Sequence, residues 1–413
     1  MIPVYFERFE VGRIEVGGNE FSFDYHPRWL DTHAAFPVSL SMLMREGPFG
    51  HERVLPWLMN LLPEEQALTT VGRNLGVSPQ DTIGLLERIG RDVAGALSIG
   101  EPRPGENPGY RRIEDEQALE KIIQNLSAKP FLAGEEGVSM SLAGVQEKLP
   151  VAMGDGKMSI PVNGAVSTHI LKPDSDRLFG SVQNEALCLI LATRCELDTT
   201  QVTTGMAGER AYLLVERYDR KEVGDRTIRV HQEDFCQAMT KPPAAKYESN
   251  QSGIRGPTLE DFFGLIDRYM TAVDTNKFLN AVIFNILICN TDSHAKNYSI
   301  LLSGGKPRLA PLYDLMCGAA WDGITLNHSQ KIGGKNRGNH IHGRHWKRMA
   351  AACGLSETMV VQRVKELAET VLAEVGNAVE EVSRMPAGDH PMLPRFQEAI
   401  EARCRTVLGN LAD

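Results

Sequence analysis

The chain has 413 residues, of which 42% are hydrophobic and 23% are charged, and its formal net charge is −9. This length is typical of two or three domains, and the negative balance excludes binding to nucleic acid through overall charge alone. No apolar run approaches the roughly 18 residues of a membrane-spanning helix, and charges interrupt the opening stretch MIPVYFERFE where a signal peptide would be apolar. Seven cysteines without a CxxC pair indicate reduced thiols, so we expect a cytoplasmic protein with no membrane contact.

Strand patterns dominate the first part of the chain and helix patterns the second. The stretch SPQDTIGLLERIG predicts an early helix that is capped by Ser78 and has Pro79 at its first position. Gly- and Pro-rich stretches at 100–112 and 240–257 mark boundaries. The sequence therefore predicts an α+β protein whose units are residues 1–100, 101–240 and 241–413.

The densest polar motif, NTDSHAKN, follows an apolar helix pattern and precedes a predicted hairpin. Asp292 and Asn297 lie five residues apart, as in the catalytic loop of protein kinases, where the Asp accepts the proton of the attacking hydroxyl and the Asn binds Mg²⁺. His294 and Lys296 stand between them, and Asp314 follows the hairpin at the position of a second metal-binding Asp. The alternative is a plain turn whose Asn and Asp side chains cap the backbone.

Three further features precede this loop in the order that a kinase would need. Lys172 ends the predicted strand THILK, and Glu185 follows thirteen residues later near the start of a helix, where it could pair with that lysine. Residues 216–218, Glu-Arg-Tyr, end the next strand, where a hinge would offer backbone groups to adenine. Each feature also has a plain interpretation: a surface lysine, a carboxylate at a helix N-terminus, and a charged strand end.

The stretch SLAGVQEK, from Ser141 to Lys148, occupies the place of a phosphate-covering loop. It has one glycine, Gly144, instead of a G-x-G-x-x-G run, so its backbone amides and Lys148 would have to bind the phosphates. The alternative is the start of a simple hairpin. Phosphoryl transfer depends on positioning and charge neutralisation, and the order of loop, lysine, helix acid, hinge and Asp/Asn loop favours it.

The chain resembles the HipA family, the serine/threonine-kinase toxins of bacterial toxin–antitoxin pairs. The resemblance extends over nearly the whole chain and rests on IGRDVAGAL (89–97), SLAGVQEK, QNEALCLILA with VERYDR, and NTDSHAKN with PLYD, while KYES (246–249) also fits. It implies a bilobal kinase-like fold, with a β-rich N-terminal lobe that carries an extra N-terminal subdomain and an all-α C-terminal lobe.

The resemblance also implies cofactors and site residues. ATP and Mg²⁺ would be bound, Asp292 would be the proton acceptor, and Asn297 and Asp314 would hold the metal. Ser141 would be autophosphorylated, with Ser139 as a second possible acceptor, and phosphate there would expel the loop from the ATP site. The implied ATP-binding residues are Ala143, Gly144, Val145, Gln146, Glu147, Lys148, Lys172, Glu216, Arg217, Tyr218, His294, Lys296, Asn297, Tyr313, Asp314, Leu315 and Met316.

For partners, the resemblance implies a protein substrate among the aminoacyl-tRNA synthetases, with glutamyl-tRNA synthetase as the best-known case, and a HipB-like helix-turn-helix antitoxin. DNA would be reached only indirectly, through that antitoxin. The stretch 331–348 has six basic residues, three histidines and no acid, so it could contact DNA or tRNA, or could be a solvated loop. A metal on His340, His342 and His345 is a further possibility.

Two other classes of function fit part of the same residues. A metal-dependent hydrolase could use Asp292, His294 and Asp314, but this interpretation leaves Lys172 and SLAGVQEK without a role. A catalytically inactive module that only binds a partner would not need the full set of Lys172, Asp292, Asn297 and Asp314.

Overall fold

The computed structural model describes residues 1–18, 20–103, 105–224 and 226–412. The helices are α1 (Pro27–Leu30), α2 (His51–Met59), α3 (Glu65–Leu75), α4 (Thr82–Ile89), α5 (Glu116–Asn125), α6 (Ser181–Arg194), α7 (Phe235–Ala238), α8 (Leu259–Tyr269), α9 (Ala272–Leu287), α10 (Gly343–Ala352), α11 (Glu357–Ser383) and α12 (Leu393–Asn410). The strands are β1 (Ile2–Phe6), β2 (Phe9–Gly17), β3 (Glu20–Tyr25), β4 (Leu97–Ile99), β5 (Gly109–Arg112), β6 (Leu149–Gly154), β7 (Lys157–Val162), β8 (His169–Pro173), β9 (Val202–Ala207), β10 (Arg210–Glu216), β11 (Arg220–Val223), β12 (Arg226–Arg229), β13 (Gln232–Asp234), β14 (Ser299–Leu301), β15 (Arg308–Leu309), β16 (Asn327–Ile332) and β17 (Lys335–Arg337).

Two antiparallel sheets form the first half of the molecule. One has the strand order β3-β2-β1-β4 and the other the order β5-β7-β6-β8-β10-β9. Their apolar faces share one core, which contains Val4 and Trp57 from the N-terminal segment together with Leu149 and Leu171 from the second sheet. The first hundred residues are thus packed onto the second sheet, and the boundaries at 100 and 240 stay predictions. Pro104, within the predicted break at 100–112, lies outside the described residues.

A second core lies in the helical half. It surrounds α9, whose residues Phe278 and Phe284 are fully buried, and it includes residues of α8, α11 and α12. Helix α6 lies in the chain between β8 and β9 of the second sheet but contributes Leu187 and Leu191 to this core. Because α6 belongs to both halves, the side chains at its start lie at the junction of the two.

The structure corrects two predictions about elements. The predicted all-α C-terminal lobe also contains strands: β14 pairs with β13 on one side and with β15 on the other in a small antiparallel sheet, and β16 pairs with β17. Helix α4 does not begin at Ser78 and Pro79 but at Thr82, because the side chain of Asp81 accepts a hydrogen bond from Gly84 N–H at 2.8 Å and caps it. Helix α8 is capped by Thr258, which forms a capping box with Asp261.

The basic stretch 331–348 is not a single loop. It contains the β16–β17 turn and the first residues of α10, and Trp346 is fully buried there. The backbone N–H of His342 donates to Nδ1 of His345 at 2.9 Å, at the N-terminus of α10. Among the described residues no group of three or more His, Cys, Asp or Glu side chains could hold a metal ion. Within the same residues, no helix is long and apolar enough to cross a membrane.

Candidate active site

A cavity of about 640 Å³ opens between the second sheet and the helical half. Asp292 and every residue of the predicted ATP site line it except Leu315, which is only 2% exposed and points into the core. Ser141 is absent from the lining because its side chain points the other way. The structure therefore brings together residues that are more than 170 positions apart in the chain.

Lys172 connects the two halves across this cavity. Its ammonium lies 2.6 Å from Oε1 of Glu185, on α6, and 2.8 Å from Oδ1 of Asp314. Burial favours the neutral amine, but the two carboxylates outweigh it and raise the pKa of Lys172. The lysine is a fixed positive charge at the junction, as the sequence predicts.

Asp314 is the partner whose carboxylate reaches the cavity. Burial alone would raise its pKa, but Lys172 and Lys148 hold the pKa well below the ordinary range, so the group is ionised. Its side chain is 32% exposed, against 2% for Glu185. The backbone of Asp314 has φ 57°, a left-handed conformation that costs energy for a residue with a side chain. In this conformation the carboxylate of Asp314 points at the ammonium of Lys172.

The Asp292 loop begins where α9 ends. Cys289 adopts φ 60° and Asn290 N–H donates to Asn285 O at 2.8 Å, which closes the helix. The side chain of Asn290 then accepts from Asp292 N–H at 3.1 Å. The turn-forming role considered from the sequence therefore belongs to Asn290, and the carboxylate of Asp292 is left to face the cavity.

The Asp292 side chain is 61% exposed, yet the cavity walls surround it. This partial desolvation is the main cause that raises the pKa of Asp292 to about 6, against a hydrogen bond from Tyr247 that lowers it. A carboxylate with a pKa near the working pH is suited to accept a proton and release it again. His294 lies 3.9 Å from Asp292 and is buried, which lowers its pKa and keeps the imidazole neutral.

Asn297 is held against the same loop. Its Nδ2 donates to the carbonyl of Asp292 at 2.8 Å, so the amide oxygen is the atom left for a ligand. An amide oxygen and the carboxylate of Asp314 are the donor types that Mg²⁺ binds in proteins. The donor set thus fits the metal that the sequence predicts.

The phosphate-covering loop takes its shape from Gly144. This residue has φ 104°, a conformation that favours glycine, and its carbonyl accepts from Glu64 N–H at 3.2 Å. Lys148 donates to the carbonyl of Ala143 within the loop, and burial lowers its pKa to about 8. Lys148 and Lys172 together line the cavity with two ammonium groups.

Ser141 and Ser139 both face the N-terminal segment. The hydroxyl of Ser141 is fully buried and donates to Leu61 O at 2.8 Å, while that of Ser139 donates to Arg88 O at 2.8 Å. In this conformation neither hydroxyl lies in the cavity. Phosphorylation of Ser141 would require the loop to leave its place.

The predicted hinge, residues 216–218, lines the cavity, and the ring of Tyr218 stacks on Tyr313 at 5.5 Å between centroids. Glu216 N–H donates to Gln201 O and Arg217 N–H to Thr168 O, both at 2.9 Å. The guanidinium of Arg217 points away from the cavity, to a buried group of charges around Asp219.

The ammonium of Lys296 is also not placed as that of a phosphate ligand would be, because protein oxygens already bind it. It lies 2.7 Å from Oδ1 of Asn60 and 3.1 Å from Oδ2 of Asp234. Asn60 and Glu64 come from the N-terminal segment, and sequence reasoning missed both because nothing local marks a contact made over more than 180 residues. Lys246 and Tyr247 lie in the stretch KYES, for which the sequence alone indicates no role.

The geometry argues against the hydrolase alternative. Its three candidate ligands, Asp292, His294 and Asp314, do not form a group that could hold a metal among the described residues. Oδ1 of Asp314 is instead 2.8 Å from Lys172. Lys148, Lys172 and Asp292 line the same cavity, so two cations and a carboxylate face one space.

Comparison with known families gives matches along most of the chain. Residues 2–100 match the model of the HipA N-terminal domain, and residues 140–375 match that of the HipA-like C-terminal domain. The second match alone covers more than half of the chain.

Two relatives and one solved structure extend this result. The protein named "Putative kinase Y4mE" from Sinorhizobium fredii is 36% identical over 400 residues, which are 94% of this chain and 93% of the relative. The serine/threonine-protein kinase toxin HipA of Shewanella oneidensis is 25% identical over 401 residues, 94% of this chain and 91% of the relative.

The structure of the Shewanella oneidensis complex of HipA, HipB and operator DNA superimposes with a TM-score of 0.86 at 23% identity, over 99% of this chain and 98% of that one. This likeness confirms the predicted α+β, kinase-like fold. With both family models matched in order and a relative above 30% identity over nearly the full length, the chain belongs to the HipA family of serine/threonine-protein kinases.

Proposed function

We propose that this protein transfers the γ-phosphoryl group of ATP to a serine or threonine hydroxyl, with Mg²⁺ as cofactor. The observation that carries the proposal is the ion pair of Lys172 with Glu185 and Asp314, because Lys172 and Asp314 line one cavity with Asp292 and Asn297. Membership of a kinase family supports the same conclusion.

The chain's own residues divide the work as phosphoryl transfer requires. Lys172 and Lys148 face the cavity and would neutralise charge on the ATP phosphates. Asn297 and Asp314 would hold Mg²⁺, which supplies further charge neutralisation when bound. Asp292 would accept the proton of the attacking hydroxyl as the bond to the γ-phosphorus forms and ADP leaves.

A labelling experiment separates this proposal from its alternatives. The purified chain is treated with phosphatase, the phosphatase is removed, and ATP labelled at the γ-phosphate is added with Mg²⁺. A kinase transfers label to serine or threonine in protein. Release of labelled inorganic phosphate with no labelled protein would support the hydrolase instead, and the absence of both products would support an inactive binding module.

We further propose that the protein is the toxin of a toxin–antitoxin pair. Support comes from the Shewanella oneidensis relative, which is named a toxin and is seen with HipB and operator DNA. The partner would be a HipB-like helix-turn-helix antitoxin, and DNA would be reached through it. The protein substrate would be an aminoacyl-tRNA synthetase such as glutamyl-tRNA synthetase, whose modification would stop translation.

The substrate proposal is tested by phosphoproteomics after brief expression. Wild-type protein should add phosphate to a serine or threonine of a synthetase, and the Asp292→Gln variant should not. New phosphosites that are confined to unrelated proteins would refute the synthetase as target and leave the kinase assignment intact.

Autophosphorylation at Ser141 belongs to the same proposal. Because the hydroxyl is fully buried against Leu61, a phosphate group there could not return to the same place, and its charge would keep the loop out of the ATP site. Mass spectrometry of the peptide that contains residues 139–148 should find phosphate on Ser141. Ser141→Ala should remove that label, while label on Ser139 would move the assignment to the second candidate.

A further inference from the structure

The segment of residues 246–248 lies against the catalytic loop, and the mechanism above gives it no role. Its backbone is fixed at both ends: Ala295 N–H donates to Lys246 O at 3.1 Å, and Glu248 N–H donates to Ser329 O at 3.1 Å. The carboxylate of Glu248 also accepts from Lys331 N–H at 2.7 Å. The segment is therefore held rigidly next to Asp292.

Tyr247, in the middle of this segment, touches the proposed proton acceptor directly. Its hydroxyl donates to Oδ1 of Asp292, and its ring meets the buried ring of His294 edge-on at 5.0 Å between centroids. Among the described residues no hydrogen bond reaches the other oxygen, Oδ2. Tyr247 thus fixes the plane of the carboxylate and leaves one oxygen facing the cavity.

The N-terminal segment holds this arrangement from the opposite side. Oε2 of Glu64 is 2.7 Å from the ammonium of Lys246, and both side chains are only 10% exposed. That ammonium lies 5.6 Å from the centre of the Tyr247 ring, within the range of a cation–π contact. Glu64 N–H also donates to the carbonyl of Gly144 in the phosphate-covering loop. One residue of the N-terminal segment therefore contacts both the phosphate-covering loop and the segment that carries Tyr247.

We propose that Tyr247 is a positioning residue for Asp292 and that the Glu64–Lys246 pair holds Tyr247 in place. This inference rests on the proposed kinase function. Oδ2 of Asp292 takes the proton of the substrate hydroxyl, the hydroxyl oxygen forms its bond to the γ-phosphorus, and the bond from that phosphorus to the bridging oxygen breaks to release ADP. A carboxylate that turned freely would present this oxygen in the right direction only part of the time.

The test is the initial rate of self-labelling from γ-labelled ATP at several ATP concentrations, with phosphatase-treated protein. Tyr247→Phe keeps the ring and removes only the hydroxyl. We expect the maximal rate to fall roughly ten- to a hundredfold, the cost of losing one hydrogen bond to a charged group. The half-saturating ATP concentration should stay unchanged and the melting temperature should fall by no more than a few degrees, whereas a general structural defect would change both strongly.

Tyr110→Phe is the matched control, since Tyr110 is exposed and donates only to Val166 O, at 3.3 Å; it should label at the wild-type rate. Glu64→Gln removes the charge that holds Lys246 and should lower the maximal rate in the same direction as Tyr247→Phe. An active wild type with an equally active Tyr247→Phe variant would overturn this inference alone. A wild type that transfers no phosphate would overturn the proposed function and this inference with it.

Discussion

At the scale of single residues, the site depends on how a few charges are paired. Lys172 is 8% exposed and lies within 2.8 Å of two carboxylates. The sequence predicts Lys172, Asp292, Asn297 and Asp314 because fixed spacing around a strand end and a loop leaves a local pattern. The contacts of Asn60, Glu64 and Tyr247 could not be predicted, since each joins residues that are distant in the chain and leaves no pattern in either segment.

Lys172→Met should lower the rate of phosphate transfer by about a hundredfold or more, because one preorganised cation on the phosphates is lost. The removal also leaves Glu185 and Asp314 without their shared partner. The initial rate of label transfer from ATP measures the effect. Lys157→Met, at an exposed lysine on β7, is the control and should behave as wild type; a Lys172→Met variant as fast as this control would mean that another cation binds the phosphates.

At the scale of elements, β13 connects the N-terminal segment to the helical half. Glu233 in this strand is 1% exposed, and its Oε1 accepts from Leu40 N–H at 2.7 Å. The sequence does not predict β13, because three residues are too few to show alternation, and its pairing with β14 depends on a partner more than 60 residues away. Strands of six residues, such as β6 and β7, are by contrast long enough to show a strand pattern.

Burial raises the pKa of Glu233 to about 8, despite the hydrogen bond from Leu40. A carboxyl group with a raised folded-state pKa stabilises the fold fully below its unfolded-state pKa of about 4.3, and this stability is lost as the pH rises through about 8. Glu233→Gln removes the titration and should gain stability relative to wild type between pH 5 and pH 8.

Urea denaturation midpoints of wild type and Glu233→Gln at pH 5, 6.5 and 8 check this prediction. Glu222→Gln, at an exposed carboxylate on β11, should show no such trend. A difference between wild type and Glu233→Gln that stayed constant with pH would mean that Glu233 is ionised in the folded protein.

At the scale of the whole molecule, a buried group of charges connects the N-terminal segment to the hinge. Asp92 is 3.1 Å from Arg103 and 2.9 Å from Arg220, and all three side chains are at most 4% exposed. Arg217, in the hinge, lies 3.8 Å from Asp92. In the sequence, IGRDVAGAL stands out only by its resemblance to a family. The contacts of Asp92 with Arg103 and Arg220 depend on the tertiary fold, which the local sequence pattern does not determine.

Asp92→Asn should destabilise the protein by about 3–5 kcal/mol, because it leaves buried guanidinium groups without their counter-charge. A fall in melting temperature, followed by circular dichroism, measures this loss. Glu380→Gln breaks the Arg384 pair, whose side chains are 72% and 62% exposed, and should cost less than about 1 kcal/mol. Equal melting temperatures for the two variants would show that the buried charges do not hold the N-terminal segment to the hinge.

The proton-acceptor role of Asp292 is the claim on which the proposed chemistry depends most. It is tested by single-turnover transfer from γ-labelled ATP, measured together with ATP binding in wild type and Asp292→Gln. The kinase account predicts that the variant binds ATP within a few-fold of wild type and transfers phosphate at least about a hundredfold more slowly. Transfer by Asp292→Gln at the wild-type rate would contradict the account and assign proton removal to another group.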